Sequence, residues 1–257
     1  MKLSDFDYHL PGELIAQYPL KERDSARLLV VDRKKESIEH RAFKDIIDYL
    51  DSDDVLVLND TKVLPARLLG RRATGGKVEI LLLRRKDGLT FEALLRPARL
   101  KPQETILFDD KRLQGMVTGK KEVTFSAKDL ETIYSNGVVP LPPYIKRQVT
   151  AEDAKEYQTV YAKHEGAVAS PTAGLHFTEG LLKAIQSKGA AMVYVTLHVG
   201  YATFKPVKAE NIVEHIMDEE YFEISKIAEQ EIHKAQATKK RIVAVGTTSC
   251  RALESYA

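Results

Sequence analysis

The sequence predicts an α/β fold interrupted by an inserted β-domain, and three observations carry that reading. A continuous apolar run, Asp54-Val-Leu-Val-Leu58, has the pattern of a strand buried on both faces of a sheet. Between Lys62 and Arg147 the pattern changes to short strand-like runs separated by turn signals. After Thr150, helical and strand patterns alternate again.

The elements follow in order. Arg27-Leu-Leu-Val-Val-Asp32 reads as a short buried strand, and Phe43 to Leu50 spaces its apolar residues as one face of a helix. In the middle third, strands are expected at Val78–Leu83, Thr90–Leu95, Thr105–Phe108 and Glu122–Phe125. Gly75-Gly76, Asp87-Gly88 and Asp109-Asp110 supply turns, a spacing that suits a small antiparallel barrel or sandwich. Val139-Pro-Leu-Pro-Pro-Tyr-Ile145 is rigid, extended chain leaving the insertion. Ala151–Tyr161 reads as a helix capped by Thr150. Glu179–Lys188 is a second helix, capped by Thr178 and closed by Gly189. Ala191–Thr196 is a strand, Glu210–His215 a short helical piece, Ser225–Thr238 a helix, and Arg241–Val245 a buried strand ending at Gly246.

A chain of 257 residues can bury a core and form one or two domains. The lone cysteine, Cys250, excludes an intrachain disulfide and fits a reducing cytosol. The N-terminus carries acidic residues and no apolar core, unlike a secretory signal. No apolar run approaches the ~18 residues of a membrane helix. A cytoplasmic protein, monomeric and without a membrane partner, is expected. The net charge of +2 hides an asymmetry: Lys62–Arg147 holds 18 basic and 9 acidic residues, the remainder 21 basic and 28 acidic. A basic middle between acidic flanks suits a polyanionic partner.

Open α/β sheets bind ligands beyond the carboxyl ends of their strands. Three strand ends here are polar: Asn59-Asp60-Thr61; Thr196 to Gly200, with His198 inside it and Thr203 close behind; and Gly246-Thr-Thr-Ser249, leading into a helix with Arg251. A glycine turn and hydroxyls at a helix start present free N–H groups to an anion or a polar ligand edge. The loop Ser170–Phe177, broken by Pro171, adds Thr172, Gly174 and His176. His176 and His198 suit proton transfer near neutral pH if the two loops share one mouth, with Asp60 a second candidate base or orienting group. No P-loop, G-x-G-x-x-G or G-x-S-x-G motif occurs. His215-Ile-Met-Asp-Glu-Glu220 reads as solvated charge beside a structural histidine, and no metal is expected.

Taken together, these segments resemble the S-adenosylmethionine:tRNA ribosyltransferase-isomerases of queuosine biosynthesis. The matching text includes Asp5-Phe-Asp-Tyr8, Leu14-Ile-Ala-Gln17, Arg23-Asp-Ser25 and Leu56-Val-Leu-Asn-Asp-Thr-Lys-Val-Leu-Pro-Ala-Arg67. It continues through Gly75-Gly-Lys-Val-Glu79, Pro140-Leu-Pro-Pro-Tyr-Ile145, Tyr157-Gln-Thr-Val-Tyr161, Pro171–Thr178, Leu197-His-Val-Gly200 and Val245-Gly-Thr-Thr-Ser249. The resemblance implies a Rossmann-like α/β domain with an inserted antiparallel β-barrel, divided as 1–60, 61–149 and 150–257. It implies transfer and isomerisation of the ribosyl part of S-adenosylmethionine onto 7-aminomethyl-7-deazaguanine at the tRNA wobble position. Epoxyqueuosine-tRNA forms, and adenine and methionine leave. S-adenosylmethionine is then a substrate, and no cofactor is implied.

On this reading His176, His198 and Asp60 are the candidate catalytic residues. Asn59, Thr172, Gly174, Gly200, Thr203, Gly246, Thr247, Thr248, Ser249 and Arg251 are candidates for substrate binding, and Arg67, Arg71, Arg72 and Lys77 for tRNA. The chain departs from the family's usual pattern at Ala202 (Gly), Asp218 (His) and Ser170 (Ala). Family members also continue through a further C-terminal segment, so a chain ending at Ala257 is expected to be poorly active alone and prone to association. Two other readings stand beside the transferase: an RNA-binding relative that has lost catalysis, and a small-molecule α/β enzyme with no RNA.

Overall fold

A computed structural model describes all residues, Met1–Ala257. Short 3-10 turns lead into an antiparallel ribbon of β1 (Arg27–Asp32) and β2 (Ser37–Ala42). Arg27–Asp32 is a strand but not a buried one. The ribbon has no further sheet neighbour and packs through one face only, so Leu29, Val31 and Ile38 are exposed. The helix expected from Phe43 tightens to a 3-10 helix, Phe43–Tyr49, in which Asp45 accepts the Ala42 N–H at 3.0 Å.

β3 (Val55–Asn59) is buried throughout, as its composition requires. β4 (Thr61–Val63) leaves it toward the insertion. There β5 (Arg67–Arg72), β6 (Lys77–Asp87), β7 (Thr90–Arg96), β8 (Thr105–Leu107), β9 (Gln114–Gly119) and β10 (Glu122–Ser126) form an antiparallel sheet. Pairing of β5 with β8 closes it into a barrel and excludes the sandwich. Gly70 permits that closure: a Cβ there would lie 2.6 Å from Ile106 Cγ2 and 2.9 Å from the Leu107 carbonyl oxygen. Leu68, Ile80, Phe91, Ile106, Val123 and Phe125 fill the interior. Helix α1 (Leu130–Ser135), capped by Asp129, adds Ile133 to that core, and β11 (Gly137–Val138) pairs with β5. β5 and β9 escape a pattern search because interior glycines and arginines depress their strand character.

Val139–Ile145 carries no helix or strand, as expected. The helix expected at Ala151–Tyr161 shrinks to one turn, α2 (Asp153–Glu156). Tertiary partners take the groups a longer helix would need. Arg23 donates to the carbonyls of Gln158 and Lys155 at 2.6 and 3.0 Å. The Gln158 amide pairs with both backbone groups of Val63, at 2.9 and 2.8 Å.

β12 (His164–Ala167) runs parallel to β4. Thr178 caps α3 (Glu179–Ser187) by accepting the Leu181 N–H at 3.1 Å. β13 (Ala191–Leu197), β14 (Phe222–Glu223), α4 (Lys226–Ala237, capped by Ser225), β15 (Ile242–Ala244) and α5 (Gly246–Tyr256) complete the fold. The four-stranded sheet has the order β14-β13-β3-β15, with β13 and β15 both parallel to β3. Helices α4 and α5 cover the face of Val55, Val57, Val193 and Val195, while α3 and Phe43 cover Leu56 and Leu58. This is a Rossmann-like three-layer arrangement carrying a β-barrel. The strand expected to be buried at Arg241–Val245 is instead the edge strand β15, half-exposed. No helix is long and apolar enough to cross a membrane.

Candidate active site

Because β13, β3 and β15 are parallel, their carboxyl ends open on one rim. Four cavities adjoin there. The first, about 360 Å³, lies between the segment Ala16–Leu20 and the exit chain Leu141–Ile145, and is lined by Arg23, Tyr157, Thr172 and His176. The second, about 310 Å³, shares Pro142, Tyr144, Tyr157 and Thr172 with the first and adds Ser170, Thr203, Gly246, Thr247 and Thr248. The third, about 900 Å³, shares Thr203, Thr247 and Thr248 with the second and adds His215, Glu220 and Arg251. The fourth, about 500 Å³, shares Ala202, Lys205, Asp218 and Glu220 with the third. Its walls are His198, Gly200 and Tyr221 on one side, and the barrel residues Arg84, Arg85 and Lys121 on the other. The shared wall residues line the four up along one groove.

Thr172, Thr203, Gly246, Thr247 and Thr248 converge as expected. His176 and His198 do not share a mouth: they stand in the first and fourth cavities, at opposite ends of the groove. The reason is the 3-10 turn Thr172–His176, which directs His176 back onto the Phe43 ring, 5.1 Å between centroids.

His198 is held on three sides. Its Nδ1 lies 2.7 Å from the Thr61 hydroxyl, and its ring stacks on Tyr221 at 5.5 Å and 21°. A Cβ on Gly166 would come 2.6 Å from His198 Cδ2 and Nε2, so only glycine fits against that edge. Nε2 makes no hydrogen bond within the protein. Burial lowers the His198 pKa, helped by charge on His164, and burial likewise lowers that of His176. Both imidazoles are therefore neutral at pH 7, the form that accepts a proton.

Four other candidate residues are engaged within the protein. The Asn59 amide donates to the Leu197 carbonyl and accepts the Leu197 N–H, both at 3.0 Å, which splices β3 to β13. Asp60 is buried, accepts the Thr196 hydroxyl at 2.7 Å and lies 3.7 Å from His164 Nε2, outside all four cavities. Gly174 is a packing glycine, because a Cβ there would lie 2.1 Å from the Tyr161 hydroxyl. Ser249 is fully buried and donates to the Val245 carbonyl at 3.0 Å. Asn59→Ala is expected to cost about 3 kcal/mol, since it strands the Leu197 carbonyl and the N–H groups of Leu197 and Thr61; urea unfolding measures this.

Gly200 does reach the groove, and its N–H donates to Glu220 at 2.7 Å. Arg251 pairs with Glu220 and donates to the Asp218 carbonyl at 2.8 Å. The Glu220 side chain is only 7 % exposed, so the reading of His215–Glu220 as solvated charge fails at its last residue. Tyr157, Thr61 and Gly166 carry no assigned role in the sequence, as each acquires one only from a distant neighbour. On the barrel, Arg67 and Arg72 are engaged by Glu79 and Glu104 at 2.8 and 3.0 Å. Arg71 and Lys77 face each other across β5 and β6, exposed and without carboxylate partners.

A family model described as a queuosine biosynthesis protein matches residues 3–257. The chain belongs to this family. A relative from Sulfurihydrogenibium sp. (strain YO3AOP1), named S-adenosylmethionine:tRNA ribosyltransferase-isomerase, is 51% identical over the whole chain and 78% of its own length. Another of that name from Pelotomaculum thermopropionicum is 49% identical over the whole chain and 77% of its own length. A solved S-adenosylmethionine tRNA ribosyltransferase from Thermotoga maritima is 33% identical, with a TM-score of 0.47 over 98% of this chain and 72% of that one. Within this queuosine-biosynthesis family member, the groove is the place where the polar strand ends and the basic barrel meet.

Proposed function

We infer that this chain is an S-adenosylmethionine:tRNA ribosyltransferase-isomerase. It transfers and isomerises the ribosyl moiety of S-adenosylmethionine onto 7-aminomethyl-7-deazaguanine at the tRNA wobble position, and releases adenine and methionine. One observation carries the structural side of this reading: adjoining cavities set the helix start at Gly246–Thr248 near His198, and His198 opposite the barrel cations Arg85 and Lys121. A sulfonium nucleoside and a polyanion can meet there.

The reaction needs a base for a proton beside the sulfonium, assistance to departing adenine, and exclusion of water from a reactive sugar. His198 is our candidate base. Thr61 fixes its ring, and its Nε2 is left for substrate. His176, packed on Phe43 in the first cavity, is assigned to the frame of the site, because one ribose cannot present both its adenine and the proton beside the sulfonium to two histidines in separate cavities. Thr172, Thr203, Thr247 and Thr248 bind the nucleoside, while Gly200 and Arg251 act through Glu220 as positioning groups. Asn59, Asp60, Gly174 and Ser249 serve the frame of the site.

The tRNA would lie along the barrel and enter the fourth cavity. Its contacts are best assigned to cations not already neutralised: Arg71, Lys77, Arg85 and Lys121, with Arg67 and Arg72 held in ion pairs. Alanine at Arg85 or Lys121 is expected to weaken tRNA retention uniformly and to lower the salt slope by about 1 each. Alanine at Arg67 should leave that slope unchanged; filter binding across a salt series reads both.

The barrel core draws on residues between Ala66 and Ile133, whereas Val63 and Val139 pack in the α/β core. That supports an insertion running from about Leu64 to Val138 in place of 61–149. A cytoplasmic monomer remains our reading of localisation and assembly. The deciding assay mixes the chain with S-adenosylmethionine and precursor tRNA and follows adenine. Release that requires the RNA supports the transferase. Salt-sensitive retention without release would support an RNA-binding relative instead.

A further inference from the structure

Thr61 is 1 % exposed, so its hydroxyl must find its partners inside the protein. Two atoms lie within reach. His198 Nδ1 is 2.7 Å away and the His164 carbonyl oxygen 3.5 Å. A carbonyl oxygen only accepts, and a hydroxyl has one proton to give. Were that proton given to Nδ1, the contact with His164 would hold two facing acceptors. Given to the His164 carbonyl, it leaves the Thr61 oxygen to accept Nδ1–H, and both contacts become hydrogen bonds. Buried polar groups settle in the arrangement that satisfies more of them.

The backbone holds all three groups in place. β4 and β12 run parallel, with Thr61 opposite His164. The N–H groups of Lys163 and His164 both donate to the Asp60 carbonyl, at 2.8 and 3.2 Å, which anchors the start of β12 beside β4. The register then shifts between Glu165 and Ala167, and Gly166 lies against the His198 ring. Tyr221 stacks on that ring, and its carbonyl accepts the His198 backbone N–H at 2.9 Å. The imidazole is therefore held with Nδ1 turned to Thr61.

We propose that Thr61 is a positioning residue that fixes the tautomer of neutral His198, holding the ring proton on Nδ1 and leaving Nε2 bare at the fourth cavity, which His198 lines. This rests on His198 being the base, and it names the nitrogen that takes the substrate's proton. A bare Nε2 accepts directly, whereas the other tautomer carries N–H there and can only donate. As Nε2 gains a proton the ring becomes cationic, and the Nδ1–H bond to Thr61 becomes charge-assisted. Nδ1 and Thr61 each keep their own proton throughout.

The test is nitrogen NMR of the full chain, isotope-labelled in its histidine rings, at a pH where His198 is neutral. The His198 signals are assigned by their absence from His198→Ala. The wild type should show a proton-bearing Nδ1 and a bare Nε2. Thr61→Val keeps the β-branched shape that suits a strand but offers no acceptor. Nδ1–H would then be buried without a partner, so the proton should move to Nε2 in most molecules. With about a tenth of the rings left in the competent form, RNA-dependent adenine release should fall about tenfold, at unchanged KM for the RNA. Thr61→Ser should restore both the Nδ1 signal and the turnover lost in Thr61→Val. A residue that merely packed there would not move the proton. A proton on Nε2 in the wild type, or a proton still on Nδ1 in Thr61→Val, would overturn the assignment, and the first of these needs no variant. Wild-type turnover in His198→Ala would overturn the base reading and with it any role of Thr61 in turnover. A misplaced proton in a chain that His198→Ala inactivates would overturn the Thr61 assignment alone.

Discussion

His198→Ala is expected to lower RNA-dependent adenine release by about 10²- to 10⁴-fold, the usual worth of a positioned general base. Retention of tRNA at low salt should stay at the wild-type level, because the barrel cations are untouched. The size follows from how narrowly the ring is held. Thr61 fixes Nδ1, Tyr221 stacks on the ring, and the Gly166 backbone lies close against it. Gly166→Ala makes the same point without removing the imidazole. Its new methyl carbon would sit 2.6 Å from Nε2 and must displace the ring, so turnover should fall with binding preserved.

The pH profile separates a base from a structural histidine. Burial holds the His198 pKa below its ordinary value of 6.5. The neutral form exists above that lowered pKa, so wild-type turnover should be flat through neutrality and fall only as acid protonates the ring. The alanine variant should lose that acidic limb. Wild-type turnover in His198→Ala, or an unchanged acidic limb, would show that the fourth cavity does not house the base.

Some of this site was legible in the chain and some was not, for physical reasons. The buried run Asp54–Leu58 could only be a central strand, and its parallel partners placed three polar strand ends on one rim. Gly246-Thr-Thr248 was readable because a glycine turn before a helix has one local geometry. The roles of Asn59 and Ser249 were not, since an amide or hydroxyl can splice backbone as readily as it binds a ligand. Only the positions of Leu197 and Val245 decide between the two. Glu220 was hidden for a related reason: its burial depends on Arg251, thirty-one residues away. Separation of the two histidines came from a single tight turn that no spacing rule reports.

The Arg147–Asp153 pair illustrates the same dependence on distant partners, and its removal should give the largest loss of stability. The Asp153 and Arg147 side chains are 5 % and 12 % exposed and meet through two bonds of 2.6 and 2.7 Å. Arg147 also donates from Nε to the Gln17 carbonyl at 2.7 Å and stacks over Tyr18, 4.6 Å from the ring centroid. Asp153 accepts the Thr150 N–H at 2.8 Å as well. One guanidinium thus ties the chain leaving the barrel to α2 and to the N-terminal segment that walls the first cavity. Asp153→Ala leaves that guanidinium buried and uncompensated, at an expected cost of about 3 to 5 kcal/mol in urea unfolding. Arg147→Lys should not restore the loss, because an ammonium cannot reproduce the two-pronged contact. Bonding to Arg147 holds the Asp153 carboxyl below the ordinary carboxylate range. A depressed folded-state pKa contributes stability above the unfolded value of about 3.9 and loses it as pH falls through the folded value. The wild type should therefore lose stability steeply below about pH 4, and Asp153→Asn should lack that share of the slope. An Asp153→Ala chain as stable as the wild type, with an identical acid transition, would mean that the first cavity is held together by its apolar walls alone.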